Sequence, residues 1–335
     1  MRRIGLLTVL VLAITLAGCD RRPASLAQLQ AAVRAHPNSV KWRVALGQEC
    51  LEQGLYHDAH IQFRRALELD NSSFEAAMGL AQAQLKLGDY VRALQAANRA
   101  VAIRGDSAAA IALQGEIHLA SMRPDKAIGR FKRALQLDPN NEQALTNLPL
   151  AYVRAERLDE AFTAAKRAVA ALPKSVRARL NLALVRTLRG DIAGAEADLR
   201  LARKLDPNDA EPPFRLAELL LQQNRNPQEA YRLAQESAAI DPGDGAVYAL
   251  QAMALDRMGE TNRAVIELKR HVQLHPHNLR LWVLLATLAQ QIGDVETARL
   301  AATMAVRIGP RPPDKMPSPA AADTAAGASD TGGEP

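Results

Sequence analysis

Turn-forming residues recur along this chain at a fixed interval. Pro37, Asn71, Gly105, Pro139, Pro173 and Pro207 are each 34 residues apart, Pro242 follows after 35, and Pro276 and Pro310 resume the interval of 34. A segment of that length holds two short helices and cannot bury its apolar face alone, so the chain must fold by stacking copies of one motif. Counted from the third residue after each turn residue, the copies begin at Val40, Phe74, Ala108, Glu142, Val176, Ala210, Gly245 and Leu279. Their position 20 is always alanine: Ala59, Ala93, Ala127, Ala161, Ala195, Ala230, Ala264 and Ala298. Only a methyl group there lets the two helices of a copy approach closely. Position 27 follows the same rule, with Ala66, Ala100, Ala134, Ala168, Ala202, Ser237 and Ala305, and departs from it only at His271. Composition agrees with an all-helical chain: 48% of residues are hydrophobic but only 4% aromatic, and no run alternates over strand length.

These residues together resemble the tetratricopeptide repeat. Trp282, Leu285 and Ala286 match the family's Trp-x-x-Leu-small opening, while Trp42 falls one position early. Position 7 carries Leu46, Leu80, Leu148, Leu182, Leu216 and Leu285, with Gln114 and Gln251 departing. Gly54, Gly88, Gly190, Gly259 and Gly293 stand where a left-handed cap ends the first helix of a repeat. Pro124 opens the second helix in the third repeat, and Asn226 with Pro227 does so in the sixth. The resemblance implies an all-α, right-handed α-solenoid of about eight helix-turn-helix repeats over residues 40–309. Residues 25–39 read as a lone second helix, with Leu26, Leu29, Ala32 and Val33 facing the first repeat.

In this family the first helix of each repeat lines a concave groove, usually through positions 2, 5, 6, 9, 12 and 13. In the middle repeats these positions assign Asn147, Leu150, Leu180, Asn181, Leu184, Phe214 and Arg215 as peptide-groove candidates. Two readings of them stand side by side. In one, the apolar residues complete interhelical packing and the asparagines serve local geometry. In the other, asparagine amides bond a ligand backbone while Leu150, Leu180, Leu184 and Phe214 take its apolar side chains. The Lys and Asn of the family's carboxylate clamp are absent, since those positions hold Leu180 and Leu184, or Thr146 and Leu150. Pro149 falls at position 8, inside a first helix, where the other repeats carry Gly or Ala. It removes a hydrogen bond to the Leu145 carbonyl at a cost of about 3 kcal/mol unless neighbours compensate, so a kink is expected there.

The two ends read differently from the repeats. Arg2 and Arg3 precede an apolar run over residues 4–17, too short for a membrane span and suited to a signal-peptide core. Leu16, Ala17, Gly18 and Cys19 resemble the lipobox of bacterial lipoproteins, which implies cleavage after residue 18 and a covalent lipid on Cys19 as the lipidation site. Multiple acyl chains would anchor the protein stably. Asp20 resembles an inner-membrane retention signal and ranks the inner membrane above the outer, and residues 19–24 form a membrane-proximal linker. Residues 310–335, rich in Pro, Ala, Gly, Ser and acids, read as a disordered tail.

Cys50 is left without a partner thiol and reads as a small buried hydrophobe. The net charge of +6 is spread along the chain without an aromatic-studded stripe, which argues against nucleic-acid binding. No metal is expected, because His57 with His60 and His275 with His277 lack further ligands nearby. No nucleophile elbow, HExxH or Walker motif is present, so no catalytic residue, cofactor or small-molecule substrate is expected. The expectation is a non-enzymatic, lipid-anchored scaffold on the periplasmic face of a bacterial membrane, binding peptide segments of envelope proteins in assembly of a pilus, secretion or exopolysaccharide machine. The alternative is an adaptor for peptidoglycan hydrolases or synthases.

Overall fold

Seventeen helices and no strand make up residues 25–309, the part of the chain that the computed structural model describes. The lipobox with Cys19, Asp20, the linker and the tail lie outside the described residues. Helix α1 (Leu26–Ala35) stands alone, and the others follow as pairs. The pairs are α2 (Val40–Glu52) with α3 (Tyr56–Leu69), α4 (Phe74–Lys86) with α5 (Tyr90–Ile103), α6 (Ala108–Ala120) with α7 (Pro124–Leu137), and α8 (Glu142–Arg154) with α9 (Leu158–Ala171). They continue with α10 (Val176–Leu188) and α11 (Ile192–Leu205), α12 (Glu211–Gln222) and α13 (Pro227–Ile240), α14 (Gly245–Arg257) and α15 (Thr261–Leu274), and α16 (Leu279–Gln291) and α17 (Val295–Ile308). The chain divides after Pro173 into two compact units.

Local chemistry sets many of the helix ends. Side chains of Ser73, Ser107, Asn141, Ser175, Asp244 and Asn278 accept hydrogen bonds from the first turns of α4, α6, α8, α10, α14 and α16. Ser25 and Gln28 close a full capping box on α1. Every first helix then ends on a left-handed residue. Gly54, Gly88, Gly190, Gly259 and Gly293 supply it in five repeats, and Met122, Glu156 and Asn224 occupy the same conformation at φ 58°, 59° and 51° in the other three. Pro124 does open α7, but only after Met122 has made the turn that glycine makes elsewhere.

Within each unit the helices stack as a solenoid of pairs, each helix packing on the next and most first helices also on the following first helix. Alanine is what allows this. Position 20 is fully buried from Ala59 to Ala264, and position 27 from Ala66 to Ala202. A second small position answers the large residues. Phe63 and Phe131 are fully buried, and a Cβ built on Gly47 or Gly115 would lie 2.8 or 2.6 Å from their rings. Gly79 faces Phe63 from the next repeat with a Cβ distance of 2.3 Å. By the same register Pro149 is opposed by Ala165, which is fully buried, so a smaller partner leaves room for the ring. Helix α8 runs through Pro149 without a break.

In three repeats position 4 closes the preceding turn. The Arg43 guanidinium donates to the Pro37 carbonyl at 2.8 and 2.6 Å, the Tyr248 hydroxyl to Pro242 at 3.1 Å, and the Trp282 indole N–H to Pro276 at 2.9 Å. Three unlike side chains thus satisfy the same carbonyl six residues upstream. In the N-terminal unit, Leu29 of α1 is buried beside Leu46, Cys50 and Phe63, with Leu26 and Val33 packed against them. Burial pushes the Cys50 thiol up from its ordinary value. In the C-terminal unit, Asp198 is 7% exposed between Arg186 at 3.1 Å and Arg179 at 3.6 Å.

Candidate peptide groove

First helices touch their successors at α2 with α4, α4 with α6 and α6 with α8, then at α12 with α14 and α14 with α16, while α10 and α12 stand further apart. The same kind of packing joins no two second helices to comparable extent among the described residues, so first helices form the tighter side of each stack. That side is where an extended ligand meets several repeats at once.

In the N-terminal unit the predicted inward positions are part packing and part surface. Leu113 and Thr146 are buried, and the Thr146 hydroxyl donates to the Glu142 carbonyl at 2.8 Å. Asn147 and Leu150 stay half-buried on α8. Gln143 donates to the Glu116 carboxylate, tying α8 to α6 along the same side. A pocket of about 620 Å³ opens further along, lined on α2 by Val40, Lys41, Val44, Ala45 and Gln48 and on α4 by Phe74 and Glu75. The Arg104 guanidinium lies 3.9 Å from the Phe74 ring centre and 3.5 Å from Glu75 at its edge. Val44, Ala45 and Gln48 stand at repeat positions 5, 6 and 9, the positions of the middle-repeat candidates, so the first repeat offers equivalent surface.

In the C-terminal unit, Leu184 projects from α10 with 43% of its surface exposed, large for a leucine flanked by Leu180 and Asn181. Leu180 and Phe214 are half-buried against the core formed by Leu199, Leu216 and Leu220. Asn181 is 8% exposed and engaged within the fold. Its amide therefore serves the α10 environment before any ligand. Arg215 is exposed but tethered, with Glu211 at 3.3 Å and Glu218 at 3.1 Å on its own helix. Phe214 and Arg215 line a pocket of about 610 Å³ whose rim carries Asp206, Asp209, Glu211, Asp241 and Asp244. An apolar ring inside an acidic rim suits a segment with an apolar anchor and a neighbouring cation.

Among the described residues no group of three or more His, Cys, Asp or Glu side chains is placed to hold a metal ion, and no helix is long and apolar enough to cross a membrane. A family model described as tetratricopeptide repeat matches residues 10–72, 44–110, 112–175 and 150–210. The chain is similar to tetratricopeptide repeat protein 8 of Caenorhabditis elegans, 23% identical over 151 residues that cover 44% of this chain and 30% of that protein. It spans less than a third of the length of the curated relatives it matches. Among solved structures, a tetratricopeptide repeat protein of Thermus thermophilus is 26% identical with a TM-score of 0.51, over 55% of this chain and 100% of that one. The pilF protein of Pseudomonas aeruginosa is 21% identical with a TM-score of 0.53, over 65% and 98%.

Proposed function

The chain belongs to the tetratricopeptide repeat family, whose members act as protein–protein interaction scaffolds, and we propose that it is a lipid-anchored scaffold that holds peptide segments of cell-envelope proteins on its first-helix faces. The observation that carries this reading is the accessible apolar surface on those helices, above all Leu184 on α10, with Leu180 one turn away and Phe214 half-buried on α12. Leu184 is 43% exposed and Leu188 47%, four residues apart on one face of α10, which gives a partner segment an apolar strip to cover. The Phe214 pocket with its acidic rim supplies the anchor for a partner segment carrying an apolar residue next to Lys or Arg.

The lipobox residues at 16–19 support attachment through Cys19, and Asp20 favours the inner membrane. Assembly of a pilus, secretion or exopolysaccharide machine is the setting in which such a scaffold has most work to do at that surface. A photoreactive amino acid at Leu184 or Phe214, in the native membrane, is expected to trap a partner, whereas one at Ile266, exposed on the second helix α15, traps none. Equal trapping at Ile266, or none at Leu184 and Phe214, would move the binding surface elsewhere.

A further inference from the structure

Second helices splay where first helices touch, and the gaps between them form pockets. The one between α5 and α7, of about 520 Å³, is lined by Leu94, Asn98, His118, Lys126, Gly129 and Arg130. Lys126 and Arg130 stand exposed at its rim with no carboxylate in contact, among the described residues. His118 of α6 forms its floor. The imidazole is 6% exposed, and its Nδ1 is fully buried without a hydrogen-bond partner. We propose that this pocket is an oxyanion site that takes a phosphate group, with Lys126 and Arg130 as charge partners and His118 as a donor from below.

Three comparisons within the molecule carry the proposal. The corresponding pocket between α7 and α9 mixes Lys132 and Arg167 with Asp159 and Glu160, and the one beside α11 places Glu196 between Arg200 and Arg225. Both are neutralised from within, and the α5–α7 pocket is not. The fifth repeat carries Arg186 where the third carries His118, and Asp198 where the third carries Arg130. There the half-buried Arg186 meets the buried Asp198 carboxylate at 3.1 Å. In the third repeat position 23 carries the cation Arg130 in place of that carboxylate, so the pocket offers Lys126 and Arg130 to an anion from outside. Gly129 supplies the third observation. A glycine inside a helix is unfavourable relative to alanine, yet a Cβ there would meet nothing within 4 Å. Packing does not require it, whereas close approach of a ligand to the α7 backbone does.

The electrostatics agree. Burial and the cations Arg130, Lys126 and Arg123 hold the His118 imidazole below its ordinary value, with no carboxylate acting on it. A bound phosphate reverses that field and raises it. The site is lined mainly by the second helices α5 and α7, shares no residue with the first-helix candidates and does not rest on them.

The test titrates the full chain with inorganic phosphate at constant ionic strength, following heat and the His118 imidazole resonance, with glycerol 3-phosphate and acetate as parallel ligands. Saturable binding of one phosphate, an upward shift of the His118 pKa and a loss of about tenfold or more in affinity in Arg130→Ala and Lys126→Ala are expected. Both substituted side chains are exposed, so the fold survives their removal. Gly129→Ala is expected to weaken binding while raising the melting temperature. Glycerol 3-phosphate binding tenfold tighter than inorganic phosphate assigns the site to organic phosphates, and equal binding assigns it to the free ion. An acetate response equal to that of phosphate, or phosphate affinity unchanged in Arg130→Ala, overturns the proposal.

Discussion

Met122 and Glu156 do a glycine's work with a side chain attached. Both hold φ near 60° at the end of a first helix, where L-residues lose roughly 1–2 kcal/mol relative to the right-handed region. Glycine relieves that strain but increases the freedom of the unfolded chain, so the net gain is smaller. Glu156→Gly is expected to stabilise the protein by about 0.5–1 kcal/mol in denaturant unfolding. A neutral or negative result would show that the Glu156 side chain has a compensating contact. Asn181 belongs to the same scale. Because its amide is buried and engaged, Asn181→Ala is expected to lower stability by about 1 kcal/mol, measured before any binding assay is interpreted. Leu184→Glu is different, since the site is open. It should leave the melting temperature unchanged and abolish partner trapping.

At the scale of elements, what holds a pair together is complementarity between position 8 on the first helix and position 24 on the second. Gly115 faces Phe131 so closely that Gly115→Ala drives a methyl to 2.6 Å from a fully buried ring. The helix-propensity gain of about 1 kcal/mol is smaller than the overpacking cost of about 1–3 kcal/mol, so destabilisation is expected on thermal unfolding. Pro149 inverts the argument. Replacing it by Ala restores a helical donor worth up to about 3 kcal/mol and removes two buried carbons worth about 0.8 kcal/mol each. The balance favours Pro149→Ala by about 1–2 kcal/mol, and a lower melting temperature would show that α8 depends on the ring for packing against Ala165.

At the scale of the whole chain, titration and attachment dominate. His60, His118 and His271 all have imidazoles held below their ordinary value, chiefly by burial. The unfolded chain therefore takes up protons that the folded chain resists, and stability is full above pH 6.5 and falls as pH drops through it. Thermal melts between pH 7.5 and 5.5 should show this loss, with a shallower slope in His271→Gln. The His271 ring stacks on Tyr248 at 3.7 Å, with His275 at 5.3 Å from that tyrosine, so charging it also disturbs the turn before α16. Cys19→Ser is expected to remove the lipid acceptor and move the protein to the soluble fraction, or to leave the signal uncleaved. A normally processed, membrane-bound Cys19→Ser species would overturn the lipoprotein reading.

The interval of 34, the invariant alanines and the capping residues determined the helix pairs from sequence alone, because each acts within one repeat or between neighbours. A local code of that kind survives without knowledge of distant contacts. The glycine caps were legible for the same reason, but Met122 and Glu156 were not, since nothing in a methionine or glutamate announces a positive φ. For the candidate groove, residue positions were readable and exposure was not. Which of Leu113, Asn181 and Leu184 reaches solvent depends on how closely helices from successive repeats approach. The α5–α7 pocket was hidden for a related reason. His118, Lys126, Arg130 and Asn98 come from three helices, and only their tertiary placement reveals that a cluster of donors has no acid to answer it.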